Sequence, residues 1–227
     1  MIEQGTAEWK ALRLGKVTAS RVADVVAKTK SGWGASRANY MAELIAERLT
    51  GNAAEGYTNA AMQWGTEKEP DAIAAYEFLT GAEIKRVAFD PHPTIAMAGA
   101  SPDGLAGDKG LIEIKCPNTA THLATLLGAP IPEKYIIQTA WQMACRPERE
   151  WCDWCSFDPR VPDEMRLYVY RIKRDNALIK NLEKEVVFFL AEVDKQVAEL
   201  SARYLGGTSP TLTALRESVE AAWVGTS

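Results

Sequence analysis

Four stretches of the chain place apolar residues three or four positions apart, a spacing typical of helices that bury one face. They cover residues 36–49, 59–79, 132–145 and about 175–205. Gly51 follows the first stretch and Gly81 the second, and glycine is the residue that most often ends a helix. Asp175 stands where the last helix would begin, and its short carboxylate suits an N-cap. The pattern therefore predicts four principal helices.

Helical character is less regular at three other places. Pro70 lies inside the second stretch and predicts a kink or a break into two helices, because proline lacks the amide hydrogen that an inner turn needs. A short helix is expected to start at Thr18 or Ser20, either of which could cap it, and to run to about Lys28. A helical tail is expected at about residues 211–223.

Between the helices the pattern changes to short apolar segments separated by proline, glycine and aspartate, which is typical of strands and turns. The predicted strands are 84–89, 95–100, 111–115, 151–157 and 165–172. Residues 119–132 show little periodicity, so their structure is left open. Strands and helices in this order predict an α/β fold, with no clear linker dividing residues 1–227.

The chain is slightly acidic overall but carries one basic segment. Its 227 residues include 26 basic and 30 acidic side chains, which excludes a uniformly basic nucleic-acid-binding surface. Residues 10–30 nevertheless hold six lysines and arginines against Asp24 alone, so they form either a site for an anionic ligand or a solvated helix face. No apolar run reaches the roughly 18 residues that would span a bilayer, and no secretory signal is recognisable. A cytoplasmic protein without membrane partners is expected.

The four cysteines are expected to be free thiols in such a compartment. Cys152 and Cys155 have the spacing of a zinc pair, but residues three apart on a strand point to opposite faces. Their sulfurs should therefore not converge on one ion.

The candidate chemistry lies in residues 101–104 and 111–117. Glu113 and Lys115 are two apart on a predicted strand and so share a face, and a hairpin could return Asp103 beside Glu113. Two carboxylates suit Mg²⁺ or Mn²⁺, and a lysine beside the metal could orient a water. The set favours metal-dependent hydrolysis of a phosphodiester; a surface turn beside a Glu–Lys pair is the simpler alternative.

Several motifs, in the same order along the chain, resemble the lambda exonuclease or YqaJ-type viral recombinase family of the PD-(D/E)XK nuclease superfamily. The signature is Asp103, Glu113 and Lys115. The supporting segments are 9–20, 64–69, 101–105, 113–117, 135–138 and 157–160. The resemblance implies a restriction-endonuclease-like core, with a central mixed β-sheet flanked by helices.

The resemblance also implies roles for the residues of the signature. Asp103, Glu113 and the backbone carbonyl of Ile114 would ligate Mg²⁺, or Mn²⁺ in its place, and Lys115 would position the attacking water.

Five further positions take roles from the same resemblance. Glu69 would act from the far side of the site, and the amide of Gln138 would hold a water or a phosphate oxygen. Arg13 and Ser20, with a contribution from Ser101, would form a pocket for a 5′-terminal phosphate, to which a guanidinium offers a planar fork.

The activity that the resemblance implies is a Mg²⁺-dependent 5′→3′ exonuclease on linear double-stranded DNA, which releases mononucleotides and leaves 3′ overhangs for recombination. Such enzymes form homotrimeric rings and cooperate with a single-strand annealing protein in a bacterium or a phage-infected cell. The alternatives are a non-catalytic DNA-binding or annealing accessory protein and an endonuclease of the same superfamily. Met62 and Trp64 are weak candidates for a wedge that leads the strand end into the site, and core packing is the expectation for both.

Overall fold

The computed structural model describes residues 2–30, 32–53 and 59–206. The helices of this part are α1 Ala7–Arg13, α2 Val22–Val25, α3 Ala35–Thr50, α4 Ala60–Thr80, α5 Thr119–Leu126, α6 Glu133–Cys145 and α7 Asn176–Leu200. The strands are β1 Val17–Thr18, β2 Lys28–Thr29, β3 Gly32–Trp33, β4 Ile84–Lys85, β5 Asp90–Pro91, β6 Ala98–Ala100, β7 Gly104–Ala106, β8 Gly110–Lys115, β9 Trp151–Phe157 and β10 Leu167–Lys173.

A five-stranded mixed sheet forms the centre of the fold, in the order β10-β9-β8-β7-β4. β8 and β9 run parallel with Glu113 opposite Trp154, and the other neighbouring pairs are antiparallel. A parallel pair needs a long crossover between its strands, and α5 and α6 lie in it. A smaller sheet has the order β1-β6-β5, and β2 pairs with β3 as a separate hairpin. The predicted mixed sheet with flanking helices is confirmed.

The alternation of side chains along β8 and β9 divides the apolar core into two layers. Leu111 and Cys152 pack on one face of the sheet with residues of α2, α3, α6 and α7. Ile112 and Cys155 pack on the other face, which α4 covers with Ala72 and Tyr76. The two cysteine sulfurs therefore lie in different layers, as predicted from their spacing on a strand, and all four cysteines are free thiols.

The helix ends follow the capping residues that the sequence offers. α3 and α4 end at Gly51 and Gly81, which adopt the left-handed conformation with φ of +71° and +69°. Asp175 caps α7 by accepting hydrogen bonds from the backbone N–H groups of Ala177 at 2.9 Å and Leu178 at 3.0 Å. None of the helices in the described ranges is both long and apolar enough to cross a bilayer.

Pro70 does not break α4, which runs as one helix of 21 residues. The predicted break into two helices is therefore wrong, and the alternative of a kink at Pro70 stays a prediction. The turns after Pro70 are held by tertiary contacts: Ala72 and Tyr76 are buried, and the Tyr76 hydroxyl donates to Oδ2 of the buried Asp153 at 2.7 Å. Packing of this kind outweighs the hydrogen bond that one proline removes.

The N-terminal region departs furthest from the sequence pattern. Helix α1 was not predicted, and the helix expected to run to Lys28 ends at Val25. Neither predicted cap operates: the Thr18 side chain makes no capping hydrogen bond, and Ser20 lies inside a 3₁₀ turn, Ala19–Arg21. The reason is that Thr18 belongs to β1, which pairs in parallel with β6, so the chain enters the turn directly from a strand.

Three smaller differences concern lengths. The segments 84–89 and 95–100 contribute only the short strands β4 and β6, and β5 lies between the two segments at Asp90–Pro91. The open region 119–132 contains α5, which Asn118 caps by accepting from the Thr121 N–H at 2.9 Å. The tail expected at 211–223 lies outside the described residues.

Candidate active site

The hairpin of β7 and β8 brings the first candidate carboxylate beside the second. Gly104 pairs with Ile112, so that Asp103, one residue before β7, lies across from Glu113. Oδ2 of Asp103 accepts a hydrogen bond from the backbone N–H of Ile114 at 2.6 Å. Gly104 is required here because a Cβ atom would lie 2.3 Å from Cγ2 of Ile84 on the neighbouring strand. The predicted hairpin is present.

Glu113 is buried at 1% exposure and is surrounded by hydrogen-bond donors. Its Oε1 accepts from Gln138 Nε2 at 2.6 Å and also from Lys115 Nζ, and its Oε2 accepts from Gln142 Nε2 at 2.5 Å. Both glutamines come from α6, four positions apart and hence on one face of the helix. Three donors therefore hold this carboxylate in place, two on Oε1 and one on Oε2.

Lys115 is positively charged in this environment. Burial alone would lower the pKa of its ammonium group, but the carboxylates of Glu113 and Asp103 outweigh burial and raise that pKa above its ordinary value. Its Nζ also lies 5.1 Å from the ring centroid of Tyr135. The lysine is therefore suited to donate hydrogen bonds and to stabilise negative charge.

The pKa of the Asp103 carboxyl group is also raised, which favours its neutral form. Burial is the largest cause that raises the pKa of its carboxyl group, and the charges of Glu113 and Glu69 add to it, while Lys115 and the hydrogen bond from Ile114 oppose it. Acidic groups are thus gathered at a point where one lysine balances only part of their charge, and a cation would relieve the repulsion between them.

The donor set fits a hard divalent cation. It consists of the carboxylates of Asp103 and Glu113, together with the carbonyl of Ile114, which points to the same side of β8 as the N–H that binds Asp103. Within the described ranges, no three His, Cys, Asp or Glu side chains gather as a complete metal cage. An incomplete set of oxygen ligands is typical of Mg²⁺, which keeps several waters and takes oxygens from a phosphate.

Glu69 reaches the site from α4, on the other side of the central sheet. Its Oε1 accepts from Arg86 Nη1 at 2.5 Å, and the same nitrogen lies 3.4 Å from the backbone carbonyl oxygen of Asp103. Arg86 therefore links Glu69 to the backbone of Asp103, and the charge of Glu69 acts on the Asp103 carboxyl group. Arg86 was not predicted as a site residue, because a single basic residue after a short strand carries no distinguishing pattern.

The residues expected to hold a phosphate are partly brought together. Arg13 Nη1 lies 3.3 Å from Ser101 Oγ, and Trp9 Nε1 donates to the same oxygen at 3.0 Å. The Arg13 guanidinium stacks over the Trp9 ring at 4.1 Å, and burial lowers its pKa. Ser20 is exposed, and the parallel pairing of β1 with β6 places it at the same end of the smaller sheet as Ser101. Among the described residues, Ser20 forms no hydrogen bond with Arg13 or Ser101.

The expectation of core packing for Met62 is wrong, since its side chain is 55% exposed. The sheet covers α4 only from Ala72 onward, so the apolar pattern of the first turns does not imply burial. Trp64 is half-buried, but beneath charged side chains: the guanidinium of Arg160 lies 4.4 Å from its ring centroid and Lys68 Nζ 5.5 Å.

Comparison with solved structures finds exonucleases that are similar to this chain. An alkaline exonuclease from Laribacter hongkongensis is 56% identical, with a TM-score of 0.80 over 87% of this chain and 97% of that chain. A second structure of that enzyme, in complex with dAMP, gives the same values. A phage-related exonuclease from Haemophilus somnus 129PT is 19% identical, with a TM-score of 0.64 over 85% of this chain and 99% of that chain, and shares the fold.

A comparison with curated proteins finds no match. Residues 8–147 match the YqaJ-like viral recombinase domain, which is more than half of the chain and includes the Asp103, Glu113 and Lys115 site. The family predicted from the motifs is therefore confirmed, and the chain belongs to the YqaJ-like viral recombinase family.

Proposed function

We propose that this protein is a metal-dependent exonuclease that degrades one strand of linear double-stranded DNA from its 5′ end, releases mononucleotides and leaves 3′ overhangs for recombination. The observation that carries the proposal is the convergence of Asp103, Glu113 and Lys115 at one hairpin. Ser101, which contacts Arg13, lies two residues before Asp103. The relationship to exonucleases of the same fold supports it.

The hydrolytic centre would use Asp103, Glu113 and the Ile114 carbonyl to hold Mg²⁺, or Mn²⁺ in its place. When bound, the metal supplies Lewis acidity at the phosphoryl oxygen and stabilises charge on the leaving oxygen. Lys115, protonated and anchored to Glu113, donates a hydrogen bond to the attacking water and favours its hydroxide form. Gln138 holds Oε1 of Glu113 and offers its amide to water or phosphate, and Glu69 acts from the far side of the site.

The polarity of degradation would come from the pocket of Arg13, Ser20 and Ser101. Its serine Ser101 lies two residues before Asp103, and two residues of extended chain span about 7 Å. A 5′-terminal phosphate bound there would place the next phosphodiester, one nucleotide along, near the carboxylate pair. The distance between the phosphate pocket and the carboxylate pair would then explain both the recognition of the 5′ end and the release of single nucleotides.

The assembly and partners complete the proposal. Residues 1–227 would form a single nuclease domain, three copies of which make a ring around DNA and cooperate with a single-strand annealing protein in the bacterial or phage-infected cytoplasm. An exposed apolar surface at the end of α4, where Phe78 is 94% and Leu79 63% exposed, supports contact between subunits. The net charge of −4 agrees with basic residues that face the DNA and acidic ones that face outward.

The proposal is tested by incubating linear and covalently closed circular duplex DNA with the protein and Mg²⁺, and repeating both with EDTA. We expect mononucleotides from the linear DNA, an intact circle, and no products with EDTA. Nicking of the circle would show an internal nuclease instead. DNA binding without metal-dependent products would show an accessory binding protein. Either result would refute the proposed exonuclease activity.

A further inference from the structure

Glu113 accepts a hydrogen bond from a second glutamine that the sequence motifs do not include. Gln142 lies one turn after Gln138 on α6, is 1% exposed, and donates from Nε2 to Oε2 of Glu113 at 2.5 Å. Gln138 and Lys115 both donate to the other oxygen, Oε1. The two glutamines therefore hold different oxygens of one carboxylate, which fixes the rotation of its plane as well as its position.

The amide of Gln142 is itself oriented from its far side. Sγ of Cys152 lies 3.9 Å from Oε1 of Gln142, with the thiol as donor. Cys152 is fully buried, and burial together with the nearby carboxylates raises the pKa of its thiol, so that the S–H remains. A flipped amide would turn its oxygen to the Glu113 carboxylate and its NH₂ group to the S–H. Both neighbours therefore select the same orientation.

This arrangement leaves one oxygen of Glu113 available. An ionised carboxylate oxygen accepts about two bonds. Oε1 has two donors, Gln138 and Lys115, whereas Oε2 accepts from Gln142 alone among the described residues. The remaining lone-pair direction of Oε2 is therefore set by the bond from Gln142.

We infer that Gln142 is a positioning residue that aims Oε2 of Glu113 at the divalent metal, and that Cys152 sets the orientation of the Gln142 amide. The inference rests on the metal site of the proposed function and deepens it. It also gives Cys152 a role in the hydrogen-bond chain Cys152–Gln142–Glu113, although this cysteine does not pair with Cys155.

The test measures Mn²⁺ binding by titration calorimetry on the full chain without DNA, so that turnover plays no part. In Gln142→Met, which keeps the volume but removes the donor, we expect the Kd for Mn²⁺ to rise about tenfold or more, the usual loss when an outer partner of a metal ligand is removed. Met143→Leu is the matched control, since Met143 is equally buried on α6 and packs in the apolar core. It should bind Mn²⁺ as the wild type does.

A second matched pair of variants tests the hydrogen-bond chain that starts at Cys152. Cys152→Val should weaken Mn²⁺ binding in the wild-type background but not in Gln142→Met, because its effect passes through the amide. Cys155→Val, on the same strand but in the opposite layer, should leave the affinity unchanged. If Gln142→Met does not fold, Cys152→Val carries the test, and unchanged affinity in that variant then overturns the inference.

Equal Mn²⁺ affinity in wild type and folded Gln142→Met would overturn the inference and leave the proposed metal site intact. An equal loss in Met143→Leu would also overturn it, because general packing would then explain the effect. If Asp103→Asn bound Mn²⁺ as tightly as the wild type does, that result would refute the metal site itself, and the inference with it.

Discussion

Oδ2 of Asp103 accepts a 2.6 Å hydrogen bond from the backbone N–H of Ile114, so the first candidate metal ligand is tied to the strand that carries the second. Glu113 precedes Ile114 on β8 and projects from the opposite face of the strand to the Ile114 side chain. The two carboxylates thus lie near each other because the Ile114 backbone N–H holds the Asp103 side chain against β8. Their geometry is largely established before any cation binds.

Replacing Lys115 by alanine tests the assignment of the hydrolytic centre. We expect Lys115→Ala to lower the hydrolysis rate by at least about a hundredfold, because the donor that orients the water is lost, while duplex binding persists. Gel-based nuclease and binding assays measure the two effects separately. Lys109→Ala is the control, since Lys109 is an exposed lysine paired with Glu150 and should retain full activity. Hydrolysis by Lys115→Ala at the wild-type rate would contradict the role given to the lysine.

The pocket at Ser101 predicts a preference for 5′-phosphorylated ends. Arg13→Ala should reduce the ratio of initial rates on 5′-phosphate and 5′-hydroxyl duplexes, because the guanidinium next to Ser101 is its charged donor. Lys10→Ala removes an exposed charge from the same helix and should keep the wild-type ratio. An Arg13→Ala ratio equal to that of Lys10→Ala would show that the end is recognised elsewhere.

The hydrogen bond between Tyr76 and Asp153 should contribute to stability rather than to chemistry. Asp153 is buried and is also held by the guanidinium of Arg171. Tyr76→Phe removes its hydroxyl donor, and we expect a loss of about 1–3 kcal/mol in the free energy of unfolding, measured with urea, without a change in Mn²⁺ affinity. Tyr170→Phe, at an exposed tyrosine of β10, should unfold as the wild type does. Unchanged stability of Tyr76→Phe would show that the bond does not anchor α4.

The buried carboxylate of Asp158 predicts a specific loss of stability in acid. Burial favours its neutral form, but hydrogen bonds from Arg160 and Thr119 outweigh burial and lower the pKa of Asp158 to about 2. Because this pKa lies below the ordinary value of 3.8, the stabilisation is present above that value and is lost as the pH falls toward 2. The difference in unfolding free energy between wild type and Asp158→Asn should therefore shrink over this range.

The control for this titration is Asp163→Asn, because Asp163 is a largely exposed carboxylate paired with Arg166. Its difference from the wild type should remain small throughout the same pH range. A gap between wild type and Asp158→Asn that stays constant from pH 4 to pH 2 would contradict the lowered pKa.

Much of the candidate site could be predicted because it depends on short-range geometry. The two-residue period of a strand places Glu113 and Lys115 on one face, and the turn residues near Asp103 predict a hairpin. The same period explains why Cys152 and Cys155 separate into two layers. In each case one local rule decides the direction of a side chain.

The unpredicted features depend on contacts between distant segments. Gln142 is an ordinary polar residue in a helical pattern until α6 packs over β8 and brings it to Glu113. Arg86 gains its neighbours Glu69 and Asp103 only when α4 and β7 come together. The burial expected for Met62 failed for the same reason, since a helical pattern does not show where the sheet beneath the helix ends.

The most direct test of the central claim uses a linear duplex labelled at the 5′ end of one strand and, in parallel, at its 3′ end, digested with Mg²⁺ by wild type and by Asp103→Asn. The account predicts early release of the 5′ label as a mononucleotide, late release of the 3′ label, and neither with Asp103→Asn. Early release of the 3′ label by the wild type, or undiminished digestion by Asp103→Asn, would contradict it.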